Sequence, residues 1–101
     1  MANEDIQELY RQEVLELTEL LNNDWVDLRD LFIENKMDLK GAYLAGYLED
    51  EEDGSEHGVL LTADKKILRF VVNDGNMILT PIQSEEDILD EFPQVAAALA
   101  L

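Results

Sequence analysis

The chain has 101 residues, 47% of them apolar, and its 24 acidic residues against seven lysines and arginines give a net charge of −17. This length and apolar content predict a single domain over residues 1–101, because a disordered chain would combine its high charge with low hydrophobicity. The charge argues against direct binding to nucleic acid or to an anionic membrane, since both require clusters of lysine and arginine.

Two amphipathic helices are predicted at the start of the chain. Apolar residues recur every three or four positions over residues 4–22, which places them on one face of a helix. Asn22, Asn23 and Asp24 interrupt this spacing and can cap a second helix that continues from Trp25 to about Asn35. A connection this short predicts that the two helices are neighbours in space.

After Gly41 the apolar pattern changes to the period of a β-strand. Tyr43, Ala45 and Tyr47 alternate with apolar neighbours, so the simple pattern puts these three side chains on one face. Loops rich in Asp, Asn, Lys and Gly separate the β-rich runs. The predicted strands cover residues 42–50, 58–62 and 67–72, with a short fourth strand over 76–82.

The last part of the chain predicts two further helical segments. Ser84 and Asp87 have the spacing of a capping box, and Pro93 suits the first turn of a final helix that ends at Leu101. The whole order predicts an α+β domain with two N-terminal helices, an antiparallel meander of three or four strands and a C-terminal helix. We expect the helices to cover one face of the sheet.

The acidic stretch YLEDEEDGSEHG, residues 47–58, could be a metal loop or part of an active site. If Gly54 occupies the sixth position of an EF-hand loop, Leu60 falls where a bidentate glutamate is required. His57, the only histidine, lies two residues from Ser55, but catalysis needs convergent side chains that a scaffold holds in place. A loose divalent site remains as a minor alternative; we predict no metal site, no cofactor and no catalytic residue.

Other signs of an enzyme are missing from the sequence. The chain has no cysteine, no phosphate-binding glycine loop and no zinc-ligand spacing. Its N-terminal segment is polar and acidic and unlike a secretory signal, and no apolar run is long enough to span a membrane. We therefore expect a cytoplasmic protein that is not an enzyme.

The acidic residues belong mainly to the helices and to one hairpin, while residues 57–83 are close to neutral. This uneven distribution predicts two patches for a basic protein partner. The first patch consists of Glu49, Asp50, Glu51, Glu52, Asp53 and Glu56, and the second of Glu85, Glu86 and Asp87.

Two functions fit these observations. In the first, the chain masks a basic surface on another protein, as an inhibitor, an immunity-like protein or a nucleic-acid mimic would. In the second, it is a structural or accessory domain that forms a homodimer through its tail QVAAALAL, and its acidity serves solubility only. Trp25, Tyr43 and Tyr47 are more typical of a core, although exposed aromatic residues ringed by acids would suit an interface.

Overall fold

The computed structural model describes the backbone of residues 2–101 and the side chains from Ile6 onward. It confirms the predicted α+β class, because two N-terminal helices precede a four-stranded antiparallel sheet and C-terminal helices pack on that sheet. The strands follow one another in the order β1-β2-β3-β4. The elements are α1 (Ala2–Asn23), α2 (Val26–Glu34), β1 (Tyr43–Glu49), β2 (Glu56–Leu61), β3 (Ile67–Asn73), β4 (Asn76–Pro81), α3 (Glu85–Leu89) and α4 (Val95–Leu99).

Helices lie against both faces of the sheet, whereas the sequence predicted cover on one face. Consecutive residues of β2 enter different apolar clusters: Val59 joins the first and Leu60 joins the second. Side chains of α3 and α4 complete the first cluster, and side chains of α2 complete the second. The sheet is therefore sandwiched, and long apolar runs such as GVLL reflect burial on both sides.

A β-bulge in β1 changes which face each side chain occupies. The pairing with β2 shifts between Leu44 and Gly46, so the simple alternation predicted for Tyr43, Ala45 and Tyr47 is interrupted. Tyr43 packs with the first cluster, whereas Tyr47 packs with the second, beside α2. The bulge is thus the reason that Tyr47 lies next to Trp25.

The two edges of the sheet are treated differently. Along β1, the Thr18 hydroxyl of α1 donates to the Val14 carbonyl at 2.8 Å and accepts the Leu44 N–H at 2.9 Å. Helix α1 therefore covers this edge and satisfies a strand amide that would otherwise be open. At the opposite edge, β4 pairs only with β3, and its Ile78 side chain is 66% exposed.

The helix caps predicted from the sequence are only partly formed. Helix α2 begins at Val26, with Trp25 in the capping position and no side-chain hydrogen bond, so Asp24 does not act as the cap. Ser84 does occupy the capping position of α3, but its hydroxyl makes no capping hydrogen bond. The carboxylate of Asp24 consequently remains available for another role.

Candidate protein-binding site

The first predicted patch lies at one end of the sheet, in the hairpin that joins β1 to β2. We call residues 49–56 the acidic tip and the end of the sheet that carries it the tip end. Pairing across the sheet places Glu49 opposite Glu56, Glu56 opposite Val72, and Val72 opposite Met77. The turn at residues 73–76 therefore shares the tip end with the acidic tip.

The acidic tip is an ordered turn held by its own hydrogen bonds. The Asp50 N–H donates to the Ser55 carbonyl, and the Gly54 N–H donates to the Asp50 carbonyl, both at 2.8 Å. The Asp50 carboxylate also accepts the Glu52 N–H at 2.8 Å. Two of the six predicted carboxylates, Asp50 and Asp53, thus stabilise the turn, and this leaves Glu49, Glu51 and Glu52 to face solvent or a partner.

The glutamates of the acidic tip differ in how they are engaged. Glu49, Glu51 and Glu52 are exposed, and among the described residues their side chains have no hydrogen-bond or ion-pair partner. Glu56 is half-buried, and its carboxylate accepts a hydrogen bond from the Tyr47 hydroxyl at 2.5 Å. Because like charges directly opposite each other destabilise a sheet, the Glu49–Glu56 pair is a local electrostatic cost.

The side chains of Ser55 and His57 are in contact, but the hydrogen bonds around them run in the opposite direction to the one that nucleophilic catalysis needs. The Ser55 hydroxyl donates to Asp53 Oδ1 at 2.6 Å, and its Oγ lies 2.8 Å from His57 Nε2. A hydroxyl has one proton, so His57 must donate to Ser55 and does not receive its proton. The hydroxyl and then the backbone N–H of Ser55 hold the pKa of Asp53 below its usual range, which suits a structural turn.

Among the described residues, no group of three histidine or acidic side chains is arranged to hold a metal ion. The carboxylates of Asp50 and Asp53 already accept hydrogen bonds inside the turn. The acidic tip therefore offers dispersed negative charge rather than a convergent set of ligands.

The second predicted patch lies at the other end of the sheet. Glu85, the first residue of α3, lines an open cleft of about 910 Å³ together with Lys40, Lys65 and Lys66. We call this end, with its turn at residues 62–66, the lysine end. The structure thus separates the two patches, and it places Glu85 near cations that reduce its negative potential.

An aromatic pair extends the acidic surface beyond the tip. The rings of Trp25 and Tyr47 lie with centroids 4.6 Å apart and planes tilted by 41°. Both residues are half-buried. Burial, the hydrogen bond to Glu56 and the charges of Glu56 and Glu49, in that order, raise the pKa of the Tyr47 phenol above its ordinary value.

Two acidic residues at the joint between α1 and α2 lie beside this aromatic pair. Asp24 and Asp27 line a cleft of about 420 Å³ with Trp25, Tyr47 and Glu56. The sequence did not predict Asp24 or Asp27 as binding residues, because Asp27 and Glu49 are 22 positions apart along the chain. The available signal was the run DWVD, in which two acids flank an aromatic and an apolar residue, but locating Tyr47 beside that run requires the bulge in β1.

The C-terminal tail packs within the domain. Ala97 and Ala98 are buried, and Ala98 belongs to the first apolar cluster with Val95. Leu99 and Leu101 pack against the same cluster. The tail therefore closes part of the core, and its pairing with a second copy stays a prediction.

Within the described residues, no helix has both the length and the hydropathy needed to cross a bilayer. Comparison of the chain with protein-family models, with curated proteins and with solved structures gives no significant match.

Proposed function

We propose that this chain is a small acidic binding protein, without enzymatic activity, that masks a basic surface on a partner protein. The observation that carries the proposal is the acidic face at the tip end. There the exposed glutamates of the acidic tip continue into Asp24 and Asp27 across an aromatic cleft. Residues 49–56 contain six acids and no lysine or arginine.

The position of these charges supports recognition more than general solubility. The domain measures 42 × 32 × 28 Å, whereas charges are screened over about 8 Å in physiological salt. A partner approaching the tip end therefore responds to local carboxylates and not to the total charge. A basic surface that meets this face would gain encounter rate and would exclude acidic competitors.

The chemistry of the face suits a protein that itself binds nucleic acid, such as a nuclease or a toxin. Such a protein presents lysines and arginines that normally contact phosphates, and carboxylates can occupy the same positions. We place this encounter in the cytoplasm, the compartment that the sequence predicts. The proposed mode of action is occlusion, in which bound carboxylates prevent phosphates from reaching the basic surface.

Affinity capture with matched charge variants tests this proposal. The wild-type chain is compared with a tip variant (Glu49→Gln, Glu51→Gln, Glu52→Gln) and with a control (Glu13→Gln, Glu16→Gln, Glu19→Gln) that loses equal charge from exposed positions of α1. Lysate is applied at about 50 mM and about 300 mM salt, a range over which screening changes strongly. We expect one basic protein to bind in stoichiometric amount to the wild type and the control, and to be lost from the tip variant.

Two results would count against masking. Retention of the same mixture of basic proteins by all three baits, with complete loss at high salt, would mean that the charge acts only as a coat. A captured protein that keeps its full activity in the complex, such as a nuclease that still cleaves nucleic acid, would show that binding does not occlude a functional surface.

Self-association is the second candidate, and one observation favours a particular surface for it. Cross-strand pairing aligns Leu48, His57, Val71 and Ile78 in one row, and Leu48 and Ile78 are 53% and 66% exposed. Strand β4 in this row is an uncharged edge within the near-neutral part of the chain. A concentration-dependent dimer in sedimentation experiments that is abolished by Ile78→Lys would support this candidate.

A further inference from the structure

We propose that the cleft lined by Trp25 and Tyr47 receives an arginine side chain of the basic partner. This inference rests on the proposed function, because it names the residue through which the partner would be held. Carboxylates alone would not define such a site. The aromatic wall, the apolar floor and the carboxylate rim of the cleft together match the parts of an arginine side chain.

The wall consists of the half-buried rings of Trp25 and Tyr47. Tryptophan and tyrosine faces attract cations, and a guanidinium also stacks on them because it is planar and weakly hydrated. Below the rings, Leu28 and Leu31 of α2 form the floor. Leu28 is buried and Leu31 is half-buried, so this floor can contact the aliphatic stem of an arginine.

The rim is formed by Asp24, Asp27 and Glu56. Among the described residues, the Asp24 and Asp27 side chains make no hydrogen bond or ion pair, and both are exposed. Arg29, the cation nearest in sequence, donates to the Asn22 carbonyl at 3.3 Å and does not line the cleft. The rim therefore presents carboxylates whose charge is not neutralised from within the chain.

Two features of the fold fix the position of the aromatic rings that line this cleft. The bulge in β1 directs Tyr47 toward α2, and the short joint after α1 brings Trp25 against it. The Tyr47 hydroxyl is tied to Glu56 at 2.5 Å, which fixes the phenol ring and leaves the second oxygen of Glu56 for another donor. An incoming guanidinium would also relieve the repulsion between Glu56 and Glu49 on the neighbouring strand.

The test uses the full chain and three short peptides that differ at one position. Blocked Gly-Ser-Arg-Ser-Gly is compared with the same peptide carrying lysine, and with one carrying citrulline, the neutral analogue of arginine. Trp25 is the only tryptophan, so its fluorescence and its indole N–H resonance report on this cleft alone. At about 50 mM salt we expect saturable binding of the arginine peptide, about fivefold tighter than the lysine peptide, and none of the citrulline peptide.

Variants locate the binding site. Glu56→Gln and Tyr47→Leu should each weaken the arginine peptide by about fivefold. Glu13→Gln, which removes an equal charge from an exposed position of α1 that does not line the cleft, should change its affinity by less than about twofold. Circular dichroism of each variant checks the fold, and Glu56→Gln, which keeps the shape of the side chain, remains informative if Tyr47→Leu unfolds.

The inference is overturned if citrulline binds as well as arginine, if lysine binds equally, or if Glu13→Gln weakens binding as much as Glu56→Gln. Because these titrations need no natural partner, their failure differs from failure of the proposed function. If the partner is still captured from lysate by the Tyr47→Leu variant, the masking function stands and the arginine site in the cleft is refuted. If the arginine peptide binds specifically but no basic protein is captured, the arginine site stands and the masking function is refuted.

Discussion

At the tip end of the sheet Glu49 lies directly opposite Glu56, whereas at the lysine end Glu85 shares a cleft with Lys40 and Lys65. Both ends carry acids that sequence reasoning grouped as partner-binding patches. Of these two ends, in the part of the chain that the structure describes, only the tip end gathers carboxylates without intervening lysine or arginine side chains and has aromatic rings beside them. The difference teaches that the position of neighbouring cations, and not the count of acids, makes the tip end the better candidate for the proposed recognition.

The largest expected effect is a loss of stability when a side chain is added at Gly58, which pairs with Tyr47 on the neighbouring strand. An added Cβ at Gly58 would lie 2.3 Å from the Gly46 carbonyl oxygen and 2.5 Å from the Phe70 ring. Gly58→Ala should therefore lower the free energy of unfolding by about 3 kcal/mol, through overpacking against backbone and a core ring. Urea denaturation measures this loss.

Gly54→Ala provides the comparison for that measurement. Gly54 has a φ of +73° but no atom within 4 Å of an added Cβ, so only backbone strain of about 1 kcal/mol is expected. Equal losses in the two variants would show that the Gly58 site can relax and does not constrain the tip end.

The next effect concerns association with the basic partner identified by capture. The variant with Glu49→Gln, Glu51→Gln and Glu52→Gln should associate about tenfold more slowly at low salt, because steering depends on local charge. Its rate should also depend less on salt. Stopped-flow measurements compare it with the α1 variant of equal charge change, Glu13→Gln, Glu16→Gln and Glu19→Gln. Equal slowing in both variants would mean that total charge, and not the tip end, governs the encounter.

A smaller effect tests whether the tip end costs stability. Glu49→Gln removes one member of the like-charged Glu49–Glu56 pair and should raise the free energy of unfolding by about 0.5 kcal/mol at low salt. Glu85→Gln at the lysine end removes a carboxylate that has lysines nearby and should not stabilise the fold. Thermal unfolding at low and high salt separates the two, and stabilisation by both variants would contradict the contrast between the ends.

Sequence patterns predicted most of the fold because each element has a strong local signal. The spacing in α1 and the β-rich runs of β2 and β3 gave elements of the right type and position. The cover of both sheet faces was missed, because that expectation followed from the order of the elements and did not weigh the continuous apolar run GVLL, which favours a strand buried on both sides.

The candidate site was predicted only in part, for a geometric reason. The acidic tip is contiguous in sequence, so its residues were evident. The contribution of Asp24 and Asp27 depends on Tyr47 facing α2, and that orientation follows from a one-residue shift in the pairing of β1. A shift of one residue reverses the face of every side chain after it, and simple alternation does not reveal it.

The smallest effect is the pH dependence of folding stability that comes from the Tyr47 phenol, which makes no difference at neutral pH. Because the pKa of Tyr47 is raised in the folded state, the folded chain retains this proton above pH 10, where an unfolded tyrosine loses it. The contribution of Tyr47 to the free energy of unfolding is therefore constant below about pH 10, and it is lost as the pH rises through the folded pKa. Glu56→Gln removes the charged acceptor and should bring the pKa of Tyr47 down toward the ordinary value. Absorbance of tyrosinate near 295 nm follows the titration, and the phase at highest pH that is lost in Tyr47→Phe belongs to Tyr47. If Glu56→Gln leaves this phase unchanged, burial alone raises the pKa of Tyr47, and the charge at Glu56 has little influence within the cleft.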